Sequence, residues 1–337
     1  MPVIAVDAMG GDLAPDEIVK GVARASLSTA IECVLVGEER RIQTILESVS
    51  YNPEHISIRH ASEVVGMAEA PKEALKTKRD ASITVGAKLV ADGHAQALVS
   101  AGNTGACILA CARHFRAIRG IQKTALASVY PRQTEYAGQD QLALLLDVGA
   151  TIRCDAIDLV QFAVMGSAYA RIISKNTEPS VALLSNGTEP QKGPPRVVEA
   201  NAKLSKMGGL RFIGNVEGID IPKGTADVVV CDGFVGNVCL KMLEGVSETV
   251  VELAKYAYKE KLLWRAGLAM LSSGIERIKE VTDWEQYGGA PILGFDRVFI
   301  KAHGRSKAKA IFNAGKVAAK AVSHDLGRAI QESLPTA

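Results

Sequence analysis

Residues 97–115 read ALVSAGNTGACILACARHF. An apolar run closing at Leu98 and Val99 turns through Gly102 and Gly105 into a stretch, Ala106 to Phe115, whose composition predicts a helix. A strand that passes through two glycines straight into a helix leaves backbone N–H groups facing outward at the positive end of the helix dipole. That is a ready anion site. The same arrangement recurs at Val228 to Lys241, VVVCDGFVGNVCLK, where a short apolar strand meets Asp232, Gly233, Gly236 and Asn237 before another helix. Two such turns in one chain predict a single cleft with two polar walls.

On either side, apolar runs of strand length alternate with helical patterns. The predicted strands are Val3 to Val6, Cys33 to Val36, Ile56 to Ile58, Ala97 to Val99, Ala125 to Val129, Leu142 to Leu146, Val181 to Leu184, Arg211 to Ile213, Val228 to Cys231 and Val298 to Ile300. Such alternation builds a parallel α/β sheet with right-handed crossovers, and ligands bind beyond the carboxyl ends of its strands. The polar glycine motifs fall on that expected rim: DAMGGD (Asp7 to Asp12), SAGNTG (Ser100 to Gly105), DVGA (Asp147 to Ala150), SNGTEPQKG (Ser185 to Gly193) and DGFVGN (Asp232 to Asn237). No tandem repeat, low-complexity tract or Pro/Ser-rich linker divides the chain, so a single α/β unit over 1–337 is expected. One stretch, 245–283, carries two helical patterns with no strand between them, broken near Lys261 and near Ser272 to Gly274, and predicts a projecting helical hairpin.

The charge balance, 39 basic against 37 acidic residues for a net +2, gives no overall field for nucleic acid, so no nucleic-acid partner is expected. The six cysteines form no CxxC pair and sit mostly in apolar runs, the pattern of reduced, buried thiols. The start, MPVIAVDAMGGD, enters a strand without a basic region or cleavage site, and no apolar window reaches the ~20 residues of a membrane span. A soluble, cytoplasmic protein is expected, with surface attachment to a membrane allowed. GxxxxGK[ST], GxGxxG after a strand, HExxH and GxSxG are all absent, and the six histidines are scattered without metal-ligand spacing. Neither a metal nor a cofactor is expected.

The set VDAMGGD (Val6 to Asp12), VSAGNTGA (Val99 to Ala106), LLDVGA (Leu145 to Ala150), VVVCDGFVGNVCLKMLEG (Val228 to Gly245), GGAPILG (Gly288 to Gly294) and HG (His303, Gly304) closely resembles the PlsX family. Those are acyl-acyl carrier protein:phosphate acyltransferases of bacterial phospholipid synthesis. The resemblance runs in order from residue 3 to about residue 310. It implies a doubly wound, mostly parallel α/β sheet similar to isopropylmalate dehydrogenase and phosphotransacetylase, and a homodimer. It also implies transfer of a fatty acyl group from acyl carrier protein to inorganic phosphate, and a membrane-bound glycerol-phosphate acyltransferase that uses the product. The loop Ser185 to Gly193 departs from the family pattern while keeping Glu189, Lys192 and Gly193 in register, and Arg305 stands where the family carries small residues.

Phosphate is itself the nucleophile in that reaction, and a thiol of pKa ~8.5 leaves without strong acid help. The site must therefore hold an anion beside a carbonyl and steady the oxyanion that develops. Ser100, Gly102, Asn103, Thr104 and Gly105 are expected to cradle phosphate; the alternative for each is a tight turn with a helix cap at Asn103 or Thr104. Asp232, Gly233, Asn237 and Lys241 are expected to form the facing wall, with Asn237 donating to thioester or phosphate, although a lysine inside a helix reads more simply as an ion-paired surface residue. Glu189 and Lys192 are candidates to reach the same cleft from a loop that otherwise reads as a connection. His303 is the candidate proton relay to the departing sulfur, against the commoner role of satisfying backbone at a strand end.

In the hairpin, Leu262, Leu263, Trp264, Leu268, Met270 and Leu271 flanked by Lys255, Lys259, Lys261 and Arg265 have the composition of a helix lying on an anionic bilayer, or of a dimer contact. An acidic carrier calls for a basic dock. Lys72, Lys76, Lys78 and Arg79 form one cluster, and Arg113, Arg116, Arg119 and Lys123 form a second that starts on the helix of the anion turn. Rival readings are a phosphotransacetylase-like enzyme using acyl-CoA, a metal- and NAD-dependent decarboxylating dehydrogenase on the same fold, and a non-catalytic membrane partner.

Overall fold

In chain order the elements are β1 (Val3–Asp7), α1 (Asp16–Ser28), β2 (Glu32–Gly37), α2 (Glu39–Glu47), β3 (Ile56–His60), α3 (Pro71–Thr77), α4 (Ser82–Ala91), β4 (Ala97–Ser100), α5 (Thr104–His114), β5 (Ala125–Pro131) and β6 (Leu142–Leu146). Then come α6 (Ala156–Ile173), β7 (Ser180–Leu184), α7 (Pro195–Leu204), β8 (Arg211–Val216), α8 (Asp220–Lys223), β9 (Val228–Val230), α9 (Gly233–Glu260), β10 (Ala290–Leu293), β11 (Val298–Lys301), α10 (Ala308–Ser323) and α11 (Leu326–Ser333). The computed structural model describes residues 1–132, 142–174, 176–260, 264, 270 and 284–334.

The strands form one sheet in the order β3-β2-β1-β4-β11-β10-β5-β6-β9-β7-β8. Ten of them are the predicted runs: eight are extended by up to three residues at an end, β6 matches its run, and β9 stops one residue short, at Val230. The eleventh, β10, was not foreseen from sequence. It is four residues long, contains Pro291, which has no N–H to give a ladder, and is enclosed by Gly288, Gly289 and Gly294, so it reads as a turn. β10 bridges the two blocks, and the antiparallel β5–β6 pair reverses their sense. β10 pairs antiparallel with both β11 and β5, and β5 pairs antiparallel with β6, while every other pairing is parallel. The blocks β3-β2-β1-β4-β11 and β6-β9-β7-β8 therefore run in opposite senses, and the expectation of one common carboxyl rim is replaced by two opposed ones.

Three apolar cores follow. On one face of the first block, Ile18, Val19 and Val22 of α1 meet Ile311, Ala314 and Ala318 of α10 over Ile4 and Leu35. On its other face α3, α4 and α5 bury Leu75, Ile83 and Cys107 against Leu98. The second block is built on α6, whose Phe162, Met165 and Tyr169 pack on Val228 and Val230 and against α11. Over Ala156–Ile173, α6 is long and apolar enough to cross a bilayer, but 78% of that window is buried inside the protein, which makes it a core helix. An Asp155–Asp158 capping box starts it.

Candidate functional site

Asp7, Ser100 and Lys301 are the last residues of β1, β4 and β11, and they lie side by side in parallel register: Asp7 against Ser100, and Lys301 against Ser100. All three are buried, at 2%, 1% and 7% exposure. The Ser100 hydroxyl donates to Asp7 Oδ2 at 2.7 Å and accepts from the Gly102 N–H at 3.0 Å. Burial raises the Asp7 carboxyl above its usual range, against the lowering pull of Ser82, Ser100 and the amides of Met9 and Gly10. The turns after β1 and β4 then touch at their glycines. A Cβ on Gly10 would stand 2.8 Å from the Gly102 nitrogen, so only glycine lets these two loops close on each other.

From Gly102 the chain enters α5. Asn103 is its N-cap, with Oδ1 accepting the Ala106 N–H at 3.1 Å. The first-turn amides of Thr104 and Gly105 have no intrahelical acceptor, so this helix keeps the anion-receptive end that the sequence predicts. The Asn103 amide is committed elsewhere: Nδ2 donates to Met67 O at 2.9 Å and Glu69 O at 3.2 Å, strapping the 67–69 segment over the turn.

The second glycine turn behaves differently. Asp232 Oδ1 accepts the N–H groups of Phe234 and Val235, and Gly233 N–H donates to Thr151 O. Asp232 Oδ2 pairs with Arg196 at 2.7 Å. The amide end of α9 is thus occupied by a carboxylate of its own chain, which both fills the donors and repels a second anion. Asp147, after β6, does the same for its loop, accepting from Leu126, Gly149, Ala150 and Thr151.

What the second block offers instead is one side of α9. Asn237, Leu240, Lys241 and Glu244 line an open cleft of about 420 Å³, across from Asp12, Met67 and Thr104 and above Lys301, His303 and Arg305. Its floor is Leu126, Ser128 and Val129 of β5 and Ala290 of β10. The cleft thus lies over β5 and β10, the antiparallel strands that join the blocks. Asn237 Nδ2 donates to Val148 O at 3.0 Å, tying the β6 loop to this wall. Lys241 pairs with Glu244 at 2.7 Å.

His303 is half-buried, and burial, reinforced by the charges of Lys241, Arg305 and Lys301 against that of Glu244, holds its pKa below the ordinary 6.5. Both effects disfavour the charged ring. Its Nδ1 accepts the Arg305 N–H at 3.2 Å, which favours the tautomer with the proton on Nε2.

A family model described as "Fatty acid synthesis protein" matches residues 3–328. A phosphate acyltransferase of Dictyoglomus turgidum is 44% identical over 98% of this chain and 97% of its own, and one of Caldanaerobacter subterraneus subsp. tengcongensis is 42% identical over the same shares. The chain belongs to the PlsX family of phosphate acyltransferases. It is an enzyme of fatty acid and phospholipid synthesis. Its fold is shared with solved structures too distant to say more than fold. A phosphotransacetylase from Streptococcus pyogenes superposes at TM-score 0.65 and 16% identity, covering 96% of this chain and 94% of that one. A 4-hydroxythreonine-4-phosphate dehydrogenase from Klebsiella pneumoniae superposes at 0.53 and 15% identity, covering 97% and 100%.

Within this PlsX enzyme the residues singled out from sequence part company. Thr104, Asn237, Lys241 and His303 meet in the cleft. Ser100 and Gly102 lie behind it as turn supports, and Gly105 packs on Pro71, which a Cβ would reach at 2.7 Å. Asn103 caps α5 and straps the 67–69 segment, Asp232 caps α9, and Gly233 N–H donates to Thr151 O, so the groups expected at phosphate have partners inside the chain, as Asn237 Nδ2 has in Val148 O. Glu189 and Lys192 are exposed, do not line the cleft, and bond within their own loop, Lys192 N–H to Glu189 O. Lys301 was missed from sequence. Its signal is a lysine closing the apolar strand VFIK, one residue before the HG motif. Of the hairpin residues, Leu262, Leu263, Leu268 and Leu271 lie outside the described residues; Trp264 and Met270 are exposed.

Proposed function

We propose that this enzyme moves a long-chain fatty acyl group from acyl carrier protein to inorganic phosphate, giving acyl phosphate for a membrane-bound glycerol-phosphate acyltransferase. The observation that carries the reading is the make-up of the cleft. Its lining combines Thr104 at the start of α5, Lys301 and His303 with the apolar Leu126, Val129, Val148 and Leu240. A phosphate fits the first set and an acyl chain the second. An unprotonated phosphate oxygen attacks the thioester carbonyl, the C–S bond breaks, and the proton left on the phosphoryl group passes to the departing thiolate. His303 Nε2–H faces the developing oxyanion as a neutral donor. This replaces the relay expected from sequence, because a ring with depressed pKa and an engaged Nδ1 is suited to donating a hydrogen bond rather than shuttling a proton.

The carrier docks, on this reading, on the basic surface of α3 and α5. Arg113 reaches across to Leu75 O, which joins the two clusters into one face. Within it Lys76 and Lys78 are paired to Glu73 and Glu69, and Lys123 is turned away to Asp158. Lys72, Arg79, Arg116 and Arg119 are exposed and make no ion pair among the described residues. The test supplies palmitoyl carrier protein and phosphate and traps acyl phosphate. Turnover that falls steeply with added salt supports the reading. Preference for a short acyl-CoA overturns the donor, and no turnover with any acyl donor sinks the enzyme reading altogether.

A homodimer is supported by the side of α9 turned from the cleft. Phe234, Val238, Met242, Val246, Val250 and Leu253 are all more than half exposed and recur at intervals of three or four along one helix face. So continuous an apolar stripe is more than monomers keep open. Replacing Met242 and Val250 together by Glu is expected to give monomers by light scattering, and a persisting dimer would place the contact elsewhere. The hairpin 245–283 is retained as the proposed dimer and membrane element of a cytoplasmic enzyme peripheral to the inner face. Co-sedimentation with anionic vesicles, lost on Trp264→Glu, reads the membrane contact.

A further inference from the structure

A buried lysine normally has a carboxylate beside it, because the cost of stripping water from an ammonium is met only by close acceptors. Lys301 has none. It is 7% exposed, yet makes no ion pair among the described residues, and its Nζ donates to a single acceptor, the carbonyl oxygen of Ala302. An ammonium has three donors, so two are left for whatever enters the cleft that Lys301 lines. The groups facing it are Asp7 of β1, beyond Ser100 in the same register row; Asp12 in the following loop; Cys107 of α5, whose thiol donates to Ser100; and His303.

We propose that Lys301 is the residue that binds the acceptor phosphate, reaching it from the cleft floor beside the open end of α5. The proposal rests on the phosphate acyltransferase reading above and names the cation that reading needs. The alternatives on the cleft wall are poorer. Lys241 is exposed and already paired with Glu244, and Arg305 is exposed and turned toward Glu248. Lys301 is fixed by its strand, is shielded from solvent, and stands where the phosphate dianion would also meet the Thr104 and Gly105 amides. Burial lowers its pKa from the ordinary 10.5, while Cys107, Asp7 and Asp12 pull it back up. A bound dianion would hold it charged.

Lys301→Met keeps length and apolar stem while removing the charge. The expected result is a KM for inorganic phosphate about 10- to 100-fold higher, the worth of one or two hydrogen bonds to a charged group, with the KM for the acyl donor unchanged. Lys301→Arg is expected to restore part of the loss. A folded Lys301→Met enzyme with unaltered phosphate KM overturns the proposal. So does a rise confined to the donor KM, which would assign the cation to the phosphodiester of the donor's prosthetic group. Should Lys301→Met not fold, the wild-type pH profile decides. kcat/KM for phosphate is expected to fall as pH rises through the lowered Lys301 pKa, and a flat profile up to the ordinary lysine range overturns the proposal. Wild-type enzyme that ignores phosphate instead defeats the parent reading and leaves a different signature.

Discussion

Replacing His303 with alanine is expected to lower kcat about 100- to 1,000-fold with the KM values little changed, the loss seen when one preorganised oxyanion donor is removed. The split matters, because a donor that strengthens only as charge develops on the carbonyl oxygen contributes to the transition state and little to binding. The pH dependence has a definite sign. The productive form is neutral, with Nδ1 accepting from Arg305 and Nε2 donating. Protonation would place a proton on Nδ1, expel the Arg305 N–H, and add a charge beside Lys241, Arg305 and Lys301. Since burial and those charges hold the pKa below 6.5, activity should be level through neutrality and fall only as pH drops through that lowered value. His303→Gln keeps an N–H donor without titration. It should recover part of the rate and abolish the acid limb. A full-rate alanine variant, or an acid limb unchanged in the glutamine variant, rules out this role.

The strands were legible in sequence because each is a short apolar run ended by a polar turn, and β10 was not because Pro291 and its glycines hide it. The reversal between the blocks lies elsewhere: β10, antiparallel to both neighbours, leaves β11 and β5 in one sense, and the antiparallel pairing of β5 with β6 turns the second block round. Local chemistry read well at α5, where Asn103 caps as one of the two alternatives required. At α9 the structure adds a difference that no spacing reveals. DGFVGN and SAGNTG are alike as glycine turns, but aspartate at the cap brings its own anion to the helix end whereas serine and asparagine do not. Lys301 escaped notice because its meaning depends on Asp7 and Ser100, far apart in sequence and adjacent only through register.

Gly236→Ala should destabilise the protein by about 3 kcal/mol or more, at the upper end of overpacking, with activity lost in proportion to the misplaced helix. Gly236 lies in the first turn of α9, and a Cβ there would stand 1.9 Å from Asp147 O and 2.8 Å from Cys231 Sγ. Neither can retreat. The Asp147 carboxylate holds four backbone amides, its carbonyl accepts from the Cys231 thiol, and Cys231 is itself paired on both backbone sides with Leu146 and Asp147. The helix must move instead, which pulls Asn237 from Val148 and swings Lys241 out of the cleft. The same substitution at Gly315 of α10, where a Cβ meets nothing within 4 Å, should stabilise by about 0.5–1 kcal/mol through helix propensity alone. Urea unfolding of the two variants tests the contrast. Equal small effects would mean that the β6 loop yields to α9, and the cleft wall would then be adjustable rather than fixed.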